Sequence, residues 1–278
     1  MKKQLSLLII AIGFVFFGHS QSAEKVKGNR NVTTEQTLIN SFHTIIVDEA
    51  FEIDLVYGQE PTVEIETDEN LHEFINFDVR DSVLSFDFTK RITSKKRLKI
   101  KVNYDRALNT IETRDDAELH CLSTITADNA TLIASGDSKV GLTIKTDNFN
   151  FEGLDKSKTE LNLTANTANL ILNGNSKLEA LINSPVLKAD LYQKAQAEIE
   201  GSSDDLTLRT DNNSEFTGKN LTIKNCKLIA EIASEATVEV TETIMIDASG
   251  SSSVYLYNSP KIIVDNLANT AKIQKKEK

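Results

Sequence analysis

The sequence predicts an all-β chain, irregular and strand-rich in its first part and wound in its second into a parallel β-helix, or β-solenoid, with coils of about 19 residues. Three observations point there: a composition suited to short strands and polar turns, segments in which apolar and polar residues alternate, and an apolar register that recurs after residue 108. At 278 residues and 40% hydrophobic, the chain can bury a proper core, and its length fits one elongated domain as well as two compact ones. Aromatic residues are 6%, Trp is absent and Pro numbers 3, while β-branched residues, Asn, Asp and Ser recur throughout. No helical heptad is visible.

Residues 1–20 read as a signal peptide. Lys2 and Lys3 precede an apolar run from Leu5 to Phe17, and the small and polar Gly18, His19, Ser20, Gln21 and Ser22 follow. That run is too short to span a bilayer well. Cleavage is expected after Ser20 or Ser22, with no Cys there to accept a lipid. The exported chain is therefore expected in the periplasm or at the cell surface, with no membrane span after signal removal. Cleavage after Ser20 takes the formal charge from −10 to −12, and an acidic surface disfavours nucleic acid and anionic lipid. Residues 21–41 are polar and aperiodic and read as a flexible leader.

From Phe42 to residue 108 the pattern is irregular strands. Phe51, Ile53, Leu55 and Tyr57 alternate with Glu52, Asp54 and Val56 before a turn over residues 58–61, and Val63 with Ile65, Leu84 with Phe86 and Phe88, and Leu98 with Ile100 and Val102 repeat the alternation. These segments are unequal and give no register. Asp81-Ser82-Val83 fits a short O-glycosylation pattern and equally an interior strand.

Over residues 109–274 a register appears. With Ala117, Ser138, Ser157, Ser176, Ala195, Ser214, Ser234, Ser252 and Thr270 as anchors, the gaps are 21, 19, 19, 19, 19, 20, 18 and 18. Six positions before each anchor stand Ile111, Leu132, Phe151, Leu170, Ala189, Leu208, Leu228, Ile246 and Val264, all apolar; four positions after, from Cys121 and Leu142 to Leu256, no charge occurs. Both columns are expected to face inward. Ten before the anchor, Asp128, Asp147, Asn166, Pro185, Asp204, Lys224, Glu242 and Pro260 repeat turn chemistry at one corner, and Asn-Ser-Pro recurs there at residues 183–185 and 258–260. A unit this short cannot bury its apolar face alone, whereas stacked coils share one core and pair their backbones at ~4.8 Å. Parallel crossovers of this kind are expected to be right-handed. The alternative is a β-sandwich with coincidentally even strands; an outer-membrane barrel is disfavoured by the absence of aromatic girdles and by the basic tail at residues 275–278.

Phe42-His43-Thr44-Ile45-Ile46-Val47, the strand and turn from Phe51 to Gly58, the Asn70-Leu71 step and the coils Ala134-Ser135-Gly136-Asp137-Ser138, Leu172-Asn173-Gly174-Asn175-Ser176 and Ala248-Ser249-Gly250-Ser251-Ser252 resemble the auto-transporter adhesin head GIN domain family, DUF2807. The family is typical of secreted and envelope proteins of Bacteroidetes. The resemblance covers roughly residues 42–274. It implies a β-helical fold and an adhesin-like role, and it transfers no catalytic residue. The coils at Ser157 and Ala195 lack the Ser-Gly step.

Chemistry-bearing motifs are sparse. His43, His72 and His120 form no i,i+4 pair, and neither HExxH, a zinc-spaced Cys/His cluster, GxSxG nor a phosphate-binding glycine loop occurs, so no catalytic residue, metal or cofactor is expected. A polysaccharide lyase or hydrolase needs carboxylates converging on adjacent coils; in the column five before the anchor only Asp247 and Asp265 are expected to stack. The readings that remain are a glycan- or protein-binding envelope module, with a carbohydrate-active enzyme and a passive structural protein as alternatives. One position after the anchor, Lys139, Lys158 and Lys177 stack. Glu160 and Glu179, two residues further along, are expected to offset Lys158 and Lys177, whereas Lys139 faces Gly141 and is expected to stay uncompensated. Lys139, Lys158, Lys177 and Gly141 are thus the candidate binding residues, for an anionic glycan or a partner's acidic segment. Cys121 and Cys226 lie six coils apart, roughly 29 Å, beyond disulfide reach, so both are expected to be free, small, buried groups.

Overall fold

The structure, a computed structural model, describes residues 24–277; the expected signal peptide lies outside the described residues. Alternation along each strand points every second side chain inward, and parallel pairing one coil apart stacks equivalent positions. The chain therefore builds a β-solenoid in which Lys139 pairs with Lys158, Lys158 with Lys177, Lys177 with Gln196, Gln196 with Glu215, Glu215 with Glu235 and Glu235 with Ser253. The anchors from Ala117 to Ser252 are at most 2% exposed. So are the residues six positions before them, from Ile111 to Ile246. Each buried aliphatic side chain contributes about 1.5–3 kcal/mol, and stacking extends that burial from coil to coil without a break. Small anchors leave room for hydroxyl contacts between coils, as where Thr113 Oγ1 donates to Ser138 Oγ at 3.0 Å and Thr210 Oγ1 to Ser234 Oγ at 3.1 Å.

Two residues before each anchor the backbone is left-handed in every coil. Glu49, Asp115, Gly136, Asp155, Gly174, Gln193, Asn212, Ile232, Gly250 and Asn269 have φ between +51° and +77°. Gly, Asn and Asp tolerate that region, which explains why the turn column is rich in them.

The solenoid begins earlier than the sequence register does. Thr44–Val47 pairs in parallel with Thr110–Thr113, and Glu52–Tyr57 with Glu118–Cys121, so Phe51 is the first anchor. Residues 58–108 are inserted between the first two coils. Within them, Val83–Phe88 and Leu98–Tyr104 add one more layer, parallel to the strands over 44–47 and 52–57. Antiparallel strands then close that end: Thr62–Asp68 on Leu98–Tyr104, Val32–Leu38 on Thr62–Asp68, and Ile75–Arg80 on Val83–Phe88. The unequal strands of this insertion are what hid the first coil.

Five further expectations are corrected. Lys25–Lys27 and Val32–Leu38 are strands, not part of a flexible leader; the second is polar because its side chains are mostly exposed, while its backbone pairs with the cap. Asp81 and Ser82, with φ of +49° and +63°, form the turn joining Ile75–Arg80 to Val83–Phe88 rather than strand interior. In the last coil Ile246 still pairs with Val264, but Asp247 pairs with Asn266 and Ser253 with Lys272. A register shift at Asp265 therefore moves the final anchor from Thr270 to Ala271. The expected stack of Asp247 on Asp265 does not form, and Asn266 Nδ2 instead donates to Asp247 Oδ1 at 3.0 Å. The inward columns also end there: Ile262 and Val264 are 48% and 47% exposed, whereas Ile244 and Ile246, their partners one coil back, are fully buried.

Both cysteines are free. Cys226 is buried between Leu206 and Ile244, while Cys121 is only half-buried, its Sγ 3.0 Å from the Ser123 carbonyl oxygen and 3.7 Å from the Tyr104 hydroxyl.

Candidate ligand-binding surface

Because the anchor column points inward, its two neighbours point out and flank it. On one side stand Asp116, Asp137, Lys156 and Asn175; on the other, Glu118, Lys139, Lys158 and Lys177. Together they line an open groove of about 480 Å³. All three predicted lysines are thus brought together. Lys156 and Asn175 join them although sequence reasoning passed over that column, in which a lysine one residue before an anchor was the available signal.

The charge pairing is the reverse of the expectation. Lys139 is compensated: its Nζ lies 2.5 Å from Glu118 Oε1, directly beneath it in the same column. The hydrogen bond that Lys139 donates to Glu118, together with the charge of that carboxylate, raises the Lys139 pKa. Lys156 reaches Asp137 at 3.8 Å. Among the described residues, no carboxylate lies within ion-pair distance of Lys158 or Lys177. Glu160 and Glu179 sit two residues along the same strands, a longer step than the ~4.8 Å between coils, so stacking decides the pairing. Further along the column the sign inverts: Glu235, stacked on Glu215, has its pKa raised by partial burial and by that neighbouring charge.

Gly141 is not part of this groove. It borders a second one, of about 570 Å³, with Glu160, Glu179, Glu198 and Glu200. Nor is it an empty flat spot, since a Cβ on Gly141 would lie 3.2 Å from His120 Nδ1. Among the described residues, no group of three His, Cys, Asp or Glu side chains converges as a metal site, and no helix is long and apolar enough to cross a membrane. Chemically, the lysine groove can hold anionic oxygens along the solenoid axis.

The fold has close counterparts among solved structures. A “putative adhesin” from Parabacteroides distasonis aligns with TM-score 0.67 and 18% identity, over 91% of this chain and all of that one. A “putative lipid binding protein” from the same species aligns with TM-score 0.62 and 17% identity over 91% and 99%, and a “putative adhesin” from Parabacteroides merdae with 0.56 and 20% over 91% and 99%. At such identities the likeness speaks to the fold. No curated protein matches the sequence. The family described as “Putative auto-transporter adhesin, head GIN domain” (DUF2807) matches residues 41–181 and 155–260. With the repeated coils and their left-handed turns, that match places the chain in the head GIN domain family.

Proposed function

We propose that the protein is an exported, non-catalytic binding module of the cell envelope, periplasmic or surface-exposed, that holds an acidic glycan along the lysine groove. One observation carries this reading: on an acidic chain of formal charge −10, Lys158 and Lys177 stack as direct neighbours with no carboxylate within ion-pair distance. Like charges directly opposite on paired strands are destabilising, so the arrangement costs stability until an anion bridges it. The adhesin descriptions of the family and of its structural counterparts support a binding role, and the tripartite N-terminus supports export.

The test is binding of polygalacturonate by the purified chain against the double variant Lys158→Gln, Lys177→Gln, at two salt concentrations. The parent should bind, more weakly at higher salt as exposed charges are screened, and the double variant should lose most of that affinity while its thermal midpoint stays level or rises slightly, the like-charge pair having been removed. Lys139→Gln should matter less, because Glu118 already occupies its ammonium group. A parent that binds no acidic polysaccharide, or a double variant that binds as well as the parent, removes the lysine groove as the site.

A further inference from the structure

Where the capping insertion meets the first corners of the solenoid, a groove of about 940 Å³ opens between residues 104–109 and the corner residues 124–129 and 145–147. That volume lies at the upper end of the range for small-molecule sites, about 300–1,000 Å³. At its rim stands Tyr57, a large aromatic side chain that is 46% exposed. Its ring is held in place. The buried Tyr104 ring packs against it in a T-shaped arrangement, with centroids 5.8 Å apart and planes at 71°, and Arg106 Nε donates to its hydroxyl at 3.4 Å. Tyr104 is fixed in turn, its hydroxyl 3.0 Å from Ser123 Oγ, the same atom that accepts the Tyr57 backbone N–H at 2.8 Å.

The walls are equally set. Asp105 is consumed by structure: its Oδ1 accepts the Ala107 N–H at 2.9 Å and its Oδ2 accepts the Ser41 hydroxyl. Opposite, Thr146 Oγ1 donates to the Asp128 carbonyl oxygen at 3.0 Å, and Asn148 Nδ2 donates to Asn129 Oδ1 at 3.0 Å. What remains for a ligand is a mixture of both signs. Among the described residues neither Arg106 nor Lys145 makes an ion pair, and Asp128 and Asp147 offer carboxylates close by, although Asp147 Oδ1 already accepts from Asn166 Nδ2 at 2.8 Å.

We propose that this groove binds an uncharged oligosaccharide, with Tyr57 as the stacking platform and Arg106, Asp128 and Lys145 as hydrogen-bonding groups. A pyranose ring presents an apolar C–H face and a rim of hydroxyls that both donate and accept. An exposed, preoriented aromatic face matches the first, and adjacent donors and carboxylates match the second. A polyanion would meet Asp128 and Asp147, and an apolar ligand would leave the charged walls without partners. The lysine groove lies on other columns, so this site stands or fails independently of it.

The experiment is a panel of uncharged oligosaccharides built from glucose, galactose, mannose and N-acetylglucosamine, immobilised and probed with the full chain, with the best binder then titrated by calorimetry. Tyr57→Ala should weaken binding about tenfold or more, the scale of one lost aromatic contact, and Arg106→Ala should weaken it too. Tyr57→Phe keeps the ring and should retain most of the affinity. Polygalacturonate binding should be unchanged in all three, and an unchanged far-ultraviolet circular dichroism spectrum reports intact folding. If no uncharged glycan binds while polygalacturonate does, the groove inference fails and the lysine reading stands. Equal binding by Tyr57→Ala and the parent overturns the inference as well.

Discussion

Gly136→Ala should open the solenoid locally. Gly136 has φ of +70°, and a Cβ there would lie 2.6, 2.7 and 2.8 Å from the N, Cα and O of Asp115, the equivalent residue one coil back. None of these is a flexible side-chain end that could swing aside. A Cβ in the left-handed region costs about 1–2 kcal/mol, and forcing atoms into a packed stack about 1–3 kcal/mol. The stiffer unfolded chain returns about 0.4–1 kcal/mol. The net destabilisation is about 2–3 kcal/mol, centred on these ranges. Stacked coils couple mainly to their neighbours, so the effect is best read by amide hydrogen exchange at Asp137 and Lys156. Their N–H groups donate to the Asp115 and Gly136 carbonyl oxygens at 2.8 and 2.9 Å. Protection there should fall about 30- to 100-fold, one decade per ~1.4 kcal/mol. Gly141→Ala is the control: its backbone is not left-handed, and its added Cβ meets only a histidine side chain at 3.2 Å. Protection within a factor of about two of the parent in Gly136→Ala would refute the claim that the turn column excludes a Cβ at this coil.

Two substitutions in one column separate the interior of the stack from its end. Ile246→Ala, at a fully buried position, should cost about 2–5 kcal/mol in urea unfolding, whereas Val264→Ala, its partner in the final coil and 47% exposed, should cost under about 1 kcal/mol. Equal costs would mean that the final coil is covered in solution. The thiols should be inert in the native state. Burial pushes Cys226 up to about 12 and raises Cys121 as well, so at pH 8.5 Cys226 stays protonated and Cys121 is less ionised than an ordinary thiol, which is about half ionised there. Raised folded-state values mean that the stabilisation from burying each neutral thiol is complete below the ordinary value and is lost as pH climbs towards the folded one. Native alkylation at pH 8.5 should therefore be slow, slowest at Cys226, and denaturation without reductant should release two reactive thiols per chain. Fast native labelling of Cys226 would overturn its placement between Leu206 and Ile244.

Residues 109–263 were legible because a solenoid writes its architecture into the sequence at a fixed period. The anchor from Ala117 to Ser252 and the neighbours of Cys226 follow from counting alone, and so does the meeting of Lys139, Lys158 and Lys177. Each depends only on which residue lies one coil away, and parallel stacking makes that a matter of spacing. What spacing could not decide was anything that breaks the period or spans it. The 58–108 insertion separates the first coil from the second, so Phe51 was not recognised as an anchor, and the bulge at Asp265 shifted the last one by a residue. That Lys139 meets Glu118 one coil back, while Lys158 and Lys177 do not reach Glu160 and Glu179 two residues along their own strands, depends on side-chain reach within the stack. The Tyr57 groove draws on segments up to 104 residues apart, from His43 to Asp147, joined only when the cap packs against the corner. Local pattern fixes which face of a strand is buried; only the assembled stack fixes which exposed groups become neighbours, because their distance is set by packing rather than by position in the chain.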